Sequence, residues 1–426
     1  MDITLTKNLY KEDKILFFLI TIIFFVPISL ILGNAAININ VFLISIFTII
    51  RLAKKGELKI LISKDYLLIL VFFISIFLTD VIALKKIDPN LFSLFRYYLI
   101  FVSVSYVFYQ KKKLIFLFSK FIFIILLIFS IDIFIQYNLG KDVFGISSNS
   151  LHRFSGFMGT EWIAGSYISN FFLFTLIVFV HTKNFKLISP FLLAYFFFSV
   201  LITGERMASI NYLFISVLIL CYFIHLKYFS LSKLIITILG LIIIFLTYYS
   251  TLNDNRKNIY KMDIILKLKL ENIAQGFFDY NEYEKRVIEI ESEKKNTHLD
   301  IFISSYEIIK QNYLFGTGYN NFYYTCKNFK NKKLYCENHS HNTYLNILSE
   351  KGVFVFIIFF YIIYFYIFKN SKIKDSKIEY QILLIMMIVL LNPISINGDF
   401  FATWTGSFFW YLFGIFYGVK RNENLQ

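Results

Sequence analysis

The residues best suited to chemistry stand in one short run, Asn338-His339-Ser340-His341-Asn342, which leads into an apolar segment that begins near Thr343. Imidazole titrates close to neutrality, so it can take and return a proton at physiological pH. Placed where a polar loop meets a hydrophobic helix, His341 is a candidate general base, and His339 is the alternative. The plainer role for His341 is capping the next helix or bonding a backbone carbonyl. Cations are the second ingredient. Arg206 closes the short turn Thr203-Gly204-Glu205-Arg206 between two apolar runs, and Arg153 sits in His152-Arg153-Phe154-Ser155-Gly156. Arg286 belongs to the run Glu282-Tyr283-Glu284-Lys285-Arg286, a pattern most often found on a solvated helix face. A guanidinium stays charged at any working pH and grips phosphate oxygens in a fixed fork.

Two carboxylates complete the set. Glu161 stands where the chain re-enters an apolar segment, and could pair with Arg153 or Arg206 or merely favour a helix N-terminus. Glu350 falls four residues after Asn346 and nine after His341, and burial in the outer part of the bundle is expected, with orientation of an arginine as its task. Arg96, near the end of an apolar run, is expected to snorkel to the interface. Cys326 and Cys336 admit two readings. They form a disulfide clip that returns the histidine loop to its helix, or they join His339 and His341 as a Cys2His2 zinc set. The disulfide is favoured, because zinc ligation would consume the proposed base. Cys221 lies in an apolar run and reads as inert packing.

The elements that must position these groups are membrane helices. The chain has 426 residues, is 57% hydrophobic and has a mean hydropathy of +0.63, with 53 Phe and only 4 Pro. A soluble fold of this length could not hide so much apolar surface, and the residues fall into runs of spanning length. Twelve segments are expected at 15–33, 36–50, 66–84, 91–109, 114–137, 163–181, 187–203, 208–225, 230–250, 343–368, 378–395 and 400–418. The second is short enough to form a hairpin with the first. The fold class is therefore all-α and polytopic. It divides into an N-terminal bundle over 1–250 with an outer loop at 138–162, a large and mainly helical loop over 251–342, and C-terminal helices with a tail over 343–426. Within the large loop, 296–312 reads as an amphipathic helix with Leu299, Phe302, Ile303, Tyr306 and Ile309 on one stripe.

Charge placement sets the orientation. Alternate loops hold about twenty Lys and Arg on one side against about five on the other, which puts both termini in the cytoplasm. The net charge of +15 is thus a membrane-topology signal and does not point to nucleic acid. The polar N-terminal stretch before the first apolar run reads as a cytoplasmic tail rather than a cleaved leader.

His341-Asn342 followed by nine residues and Gly352 resembles the signature of the O-antigen ligase and O-antigen polymerase superfamily. Leu314-Phe315-Gly316-Thr317-Gly318 is similar to the family's element before the histidine, Thr203-Gly204-Glu205-Arg206 to its arginine-bearing outer turn, and Arg153-Phe154-Ser155-Gly156 to its outer loop. The resemblance covers roughly 90–420. It implies transfer of a glycan from an undecaprenyl-diphosphate carrier to a hydroxyl, with no cofactor and no metal. The acceptor would be a lipid A-core sugar or another lipid-linked glycan. His341 becomes the base and Arg206 a diphosphate binder, with Arg153 and Arg286 as helpers and with Glu161, His339 and Glu350 around the substrate. Localisation follows as a bacterial inner membrane with the site on the periplasmic side. Displacement from the opposite face of the sugar implies inversion at the anomeric carbon. Departures from the pattern are Val355, three residues after Gly352, and the loop arginine, for which Arg286 and His298 both compete.

The competing class is a lipid-linked oligosaccharide flippase. Transporters pair two similar halves and bind near the midplane. Here the polar groups gather toward one face, and a single large loop breaks any symmetry, so the enzyme is favoured.

Overall fold

The computed structural model describes residues 13–148, 153–159, 161–251, 298–329, 334–369 and 377–423. The described residues form helices and short turns with no strand beyond one isolated bridge, Lys141 to Ser147. That is what lipid demands of spanning segments, because a helix satisfies its backbone groups internally. The helices are α1 (Lys14–Leu32), α2 (Asn34–Lys54), α3 (Lys64–Leu84), α4 (Phe95–Gln110), α5 (Leu114–Leu139), α6 (Ala164–Phe179), α7 (Phe185–Ile202), α8 (Arg206–His225) and α9 (Leu231–Thr251). After the undescribed stretch come α10 (His298–Asn312), α11 (Phe322–Lys327), α12 (Thr343–Ile363), α13 (Ile378–Leu390) and α14 (Thr403–Glu423).

Nine helices among the described residues are long and apolar enough to cross a membrane, while α6 and α13 are apolar but shorter. The hairpin of α1 and α2 turns at Gly33, whose φ of +97 suits glycine, yet α2 is a full-length helix and not the short one expected. The expected segments 378–395 and 400–418 are corrected. Helix α13 stops at Leu390, α14 starts at Thr403, and 391–402 stays non-helical. Pro393 lacks an amide proton and disfavours helix before it, and backbone groups of the opened segment bond instead to Asn342, His341 and Asn346.

In lipid, helices gain little from hydrophobic exclusion and are held by close packing. Helix α14 lies directly on α4, where a Cβ on Gly406 would come within 2.6 Å of Tyr97 and one on Gly418 within 2.6 Å of the Ser105 carbonyl. Phe101 of α4 fills the centre, with its ring against Trp410, Phe413 and Tyr417 of α14 and against Tyr366.

Polar contacts mark the two ends of the bundle. At one end Arg51 meets Asp13 at 3.2 Å and Arg421 meets Asp65 at 2.7 Å. At the other, Arg96 donates to Asn38 at 2.7 Å, to Thr403 at 3.0 Å and to Tyr97 at 2.9 Å. Arg96 therefore ties three helices together and does more than snorkel. The histidine loop, the 391–402 segment and the Arg206 turn all lie at this second end.

Helix α10 matches the expected amphipathic stretch in position but not in face. Its buried residues are Asp300, Ile301, Ile303, Ser304, Ser305, Glu307 and Ile308, while Tyr306 is exposed. The reason is a small satellite core: Ile308 packs with Phe322 and Cys326, and the Ser304 hydroxyl donates to the Tyr335 carbonyl at 2.8 Å.

Candidate functional site

Asn342 organises the site. Its Oδ1 accepts the backbone N–H groups of Tyr344 at 3.0 Å and Leu345 at 3.2 Å, which caps α12. Its Nδ2 donates to the carbonyls of Pro393 at 2.7 Å and Ser395 at 3.2 Å. One side chain thus fixes a helix start and staples it to the non-helical segment. His341, just before it, has φ of +53, a left-handed conformation uncommon outside glycine. The Asn397 amide donates to the His341 carbonyl at 2.9 Å and the Asn397 side chain to Thr343 at 3.2 Å, so the segment clamps this geometry from both sides.

The imidazoles form a cluster. The His341 ring lies 4.1 Å from that of His339 and 5.3 Å, edge to face, from that of His298, centroid to centroid. His339 Nε2 is buried without a hydrogen-bond partner among the described residues. Burial, then the neighbouring His339 and His298, pushes the His341 imidazole down to about 4, while Glu337 pulls weakly the other way. His339 is also lowered, mainly by burial. At neutral pH both rings are therefore uncharged, and His341 presents a free nitrogen lone pair, the form a base requires.

The two glycine motifs interlock. Helix α12 breaks at Gly352, with φ of +78, and the break frees carbonyls at Ser349 and Glu350. Thr317 and Gly318 donate to them, both at 2.9 Å, and Val353 donates to the Tyr313 carbonyl at 2.8 Å. A Cβ on Gly352 would lie 2.2 Å from the Leu314 oxygen, and one on Gly316 would lie 2.2 Å from the Glu350 carbonyl carbon. Only glycine allows these backbones to meet. The spacing from His341 to Gly352 therefore measures the length of helix between the histidine cap and this joint.

Cys326 and Cys336 are joined in a disulfide, with Cα atoms 5.6 Å apart. The bond ties α11 to the strand of chain that leads to His339, and it leaves these sulfurs unavailable to zinc. Cys221 is exposed on its helix rather than packed inside.

Of the three candidate arginines, Arg153 and Arg206 are described, and they stand on apposed turns. Arg206 opens α8 and is half-buried. Its neighbour Glu205 accepts from the backbone of Gly165 at 2.6 Å and of Ser166 at 3.1 Å, which caps α6 from outside. Burial pushes the Glu205 carboxyl up to about 7 against these donors and against the charge of Arg153. The Phe154 amide donates to the Thr203 carbonyl at 3.2 Å, so the loop of Arg153 is bonded to the turn of Arg206. Arg153 itself stacks over Trp162 at 4.7 Å. Glu161 is exposed, and Arg286 lies outside the described residues. The link from arginine to histidine runs through Ser395, whose hydroxyl donates to Asn211 of α8 at 3.2 Å while its carbonyl accepts from Asn342.

Beneath the loop lies a buried charge cluster. Asn346 accepts from the Phe400 amide at 2.9 Å and donates to Glu350 at 3.0 Å. Lys351 Nζ is 2.9 and 3.0 Å from the two carboxylate oxygens of Asp80 and 3.7 Å from Glu350. Glu350 thus faces a lysine where an arginine was expected. Reading by residue type missed Asn397, Ser395 and the Asp80–Lys351 pair. A signal for the last existed, since opposite charges on two apolar helices are costly unless they meet.

Residues 191–360 match the family model described as O-antigen ligase. The stretch runs from α7 into α12 and includes Arg206 and His341, while the 391–402 clamp and the Arg153 loop fall outside it. No curated protein matches the chain.

Proposed function

We propose that this chain, a member of the O-antigen ligase and polymerase superfamily, is a membrane glycosyltransferase that moves a glycan from an undecaprenyl-diphosphate carrier to an acceptor hydroxyl at the periplasmic face of a bacterial inner membrane. In this reading the twelve apolar segments all span, both termini are cytoplasmic, and 251–342 forms the periplasmic loop. The acceptor is a lipid A-core sugar or the end of a second lipid-linked glycan. His341 removes the acceptor proton as that oxygen attacks the anomeric carbon, and the bond to diphosphate breaks on the opposite face, which inverts the centre. Arg206, with Arg153 beside it, receives the negative charge of the departing diphosphate. Arg286 is assigned to the same anion, and Glu161 to the rim of its site. His339 and Glu350 shape the ground under the base. The chemistry asks for no metal, because fixed cations meet the diphosphate and a neutral imidazole meets the proton.

The observation that supports this most is the Asn342–Ser395–Asn211 chain of hydrogen bonds, which holds the base and the first turns of α8 in one frame. A base and an anion site must be held together if one sugar is to touch both. The test is complementation of a deletion strain with wild type, His341→Ala or Arg206→Ala at equal protein level. Both variants are expected to lose transfer to surface polysaccharide. Long lipid-linked chains will accumulate if the enzyme is a ligase, and single repeat units if it is a polymerase. Normal transfer by both variants would place the chemistry elsewhere. Single units held on the cytoplasmic face in the deletion strain would make the chain a flippase.

A further inference from the structure

The reaction proposed above leaves a proton on a ring poorly placed to keep it. His341 is half-buried, and a charged imidazole there has lost part of its hydration. Each turnover must therefore move that proton out. On one side of His341 stands His339, enclosed by the loop, with its Nε2 buried and without a described partner. On the other side stands His298, the first residue of α10, exposed and in edge-to-face contact with the His341 ring at 5.3 Å. Helix α10 is itself fixed against the disulfide core, so the contact does not depend on a loose loop.

We infer that His298 is a second catalytic imidazole, which accepts the proton from His341 and releases it to solvent. The inference rests on the glycosyltransferase reading. The acceptor oxygen gives its proton to a His341 nitrogen as the new C–O bond forms, and the electron pair of the old C–O bond leaves with the diphosphate. His341 then passes one proton to His298, which passes one to water, and both rings return to neutral. The charged groups around this path are Glu337, which acts on His341 from the loop, His339 on the same loop and Asp300 on α10. A histidine fits this step as an arginine does not, since guanidinium cannot lose its proton at working pH.

The experiment measures transfer in deletion-strain membranes, titrated with the lipid-linked glycan extracted from those cells, for wild type, His298→Ala, His298→Gln, His298→Arg and His341→Ala. Equal protein level, and a Cys326–Cys336 disulfide seen on non-reducing gels, show that each variant is folded. The expected result is kcat about 10–100-fold lower in all three His298 variants, KM for the donor within about twofold of wild type, and partial rescue of His298→Ala by free imidazole. Wild-type kcat in His298→Gln or His298→Arg, a loss confined to KM, or no rescue by imidazole would each overturn the relay. The His341→Ala arm separates the two readings. If it is inactive while a His298 variant runs normally, only the relay fails. If it too runs normally, the base assignment fails with it.

Discussion

At the scale of single residues, the proposed reaction depends on keeping one imidazole neutral. A left-handed conformation at a non-glycine residue costs about 1–3 kcal/mol and persists only where its surroundings fix it. Asn397 on the carbonyl of His341 and Asn342 beside it do that fixing. Burial and two neighbouring imidazoles then hold the His341 ring down at about 4. In the proposed reaction the ring is neutral and able to act above that value, and it is lost as a base when pH falls through it. The acid limb of kcat/KM is therefore expected near 4 instead of near 6.5, where an ordinary histidine would place it. Because the His339 charge works against protonation of His341, His339→Ala should move that limb to higher pH. A wild-type limb near 6.5, or a downward move in the variant, would show that the cluster does not set the base. Residue type and sequence position made His341 and Arg206 candidates. They brought up His298 only as a stand-in for a loop arginine and could not reveal its contact with His341, because that partner lies forty-three residues on and only the packing of α10 brings the rings together.

At the scale of elements, α12 was legible as an apolar run and illegible as a broken helix. Hydropathy sees neither the joint at Gly352 nor the turn 313–318 that fills it, since both are backbone arrangements of residues with small or apolar side chains. Likewise the run 378–395 read as helix because its hydropathy continues past Leu390, although Pro393 and the polar residues Asn392, Ser395 and Asn397 favour the opened chain. What locks α12 to α3 is the pair Lys351–Asp80, both fully buried. Removing one partner of such a pair leaves a charge stranded, at a cost of about 3–5 kcal/mol, whereas replacing both by apolar groups is often neutral. Lys351→Met is therefore expected to destabilise the purified protein strongly in a thermal or denaturant melt. Lys351→Met combined with Asp80→Leu should recover most of the loss. A double variant no better than the single one would mean that the two charges do not act as a pair.

At the scale of the whole molecule, contacts and charge tell the same story about two unlike ends. Asp13, Arg51, Asp65 and Arg421 gather at one end through ion pairs, and the basic loops around Lys113 and Lys183 lie with them. The histidine cluster, the Arg206 turn and the 391–402 clamp occupy the other. A donor whose diphosphate sits at one leaflet and whose isoprenoid tail runs into the bilayer needs this polarity, because its cationic grip must stand at a single interface. The positive-inside bias assigns the basic end to the cytoplasm, and that assignment can be measured directly. In a Cys221→Ser background the other two cysteines are held in their disulfide and do not react with maleimide. Single cysteines at Val143 and Ile394, exposed at the site end, should label in intact spheroplasts with a membrane-impermeant maleimide. Cysteines at Lys113 and Lys183 should label only after the membrane is opened. The reverse pattern would turn the site toward the cytoplasm, where a periplasmic transfer could not use it. Labelling of all four in intact spheroplasts would mean that the two ends do not face opposite sides, and the spanning plan itself would have to be redrawn.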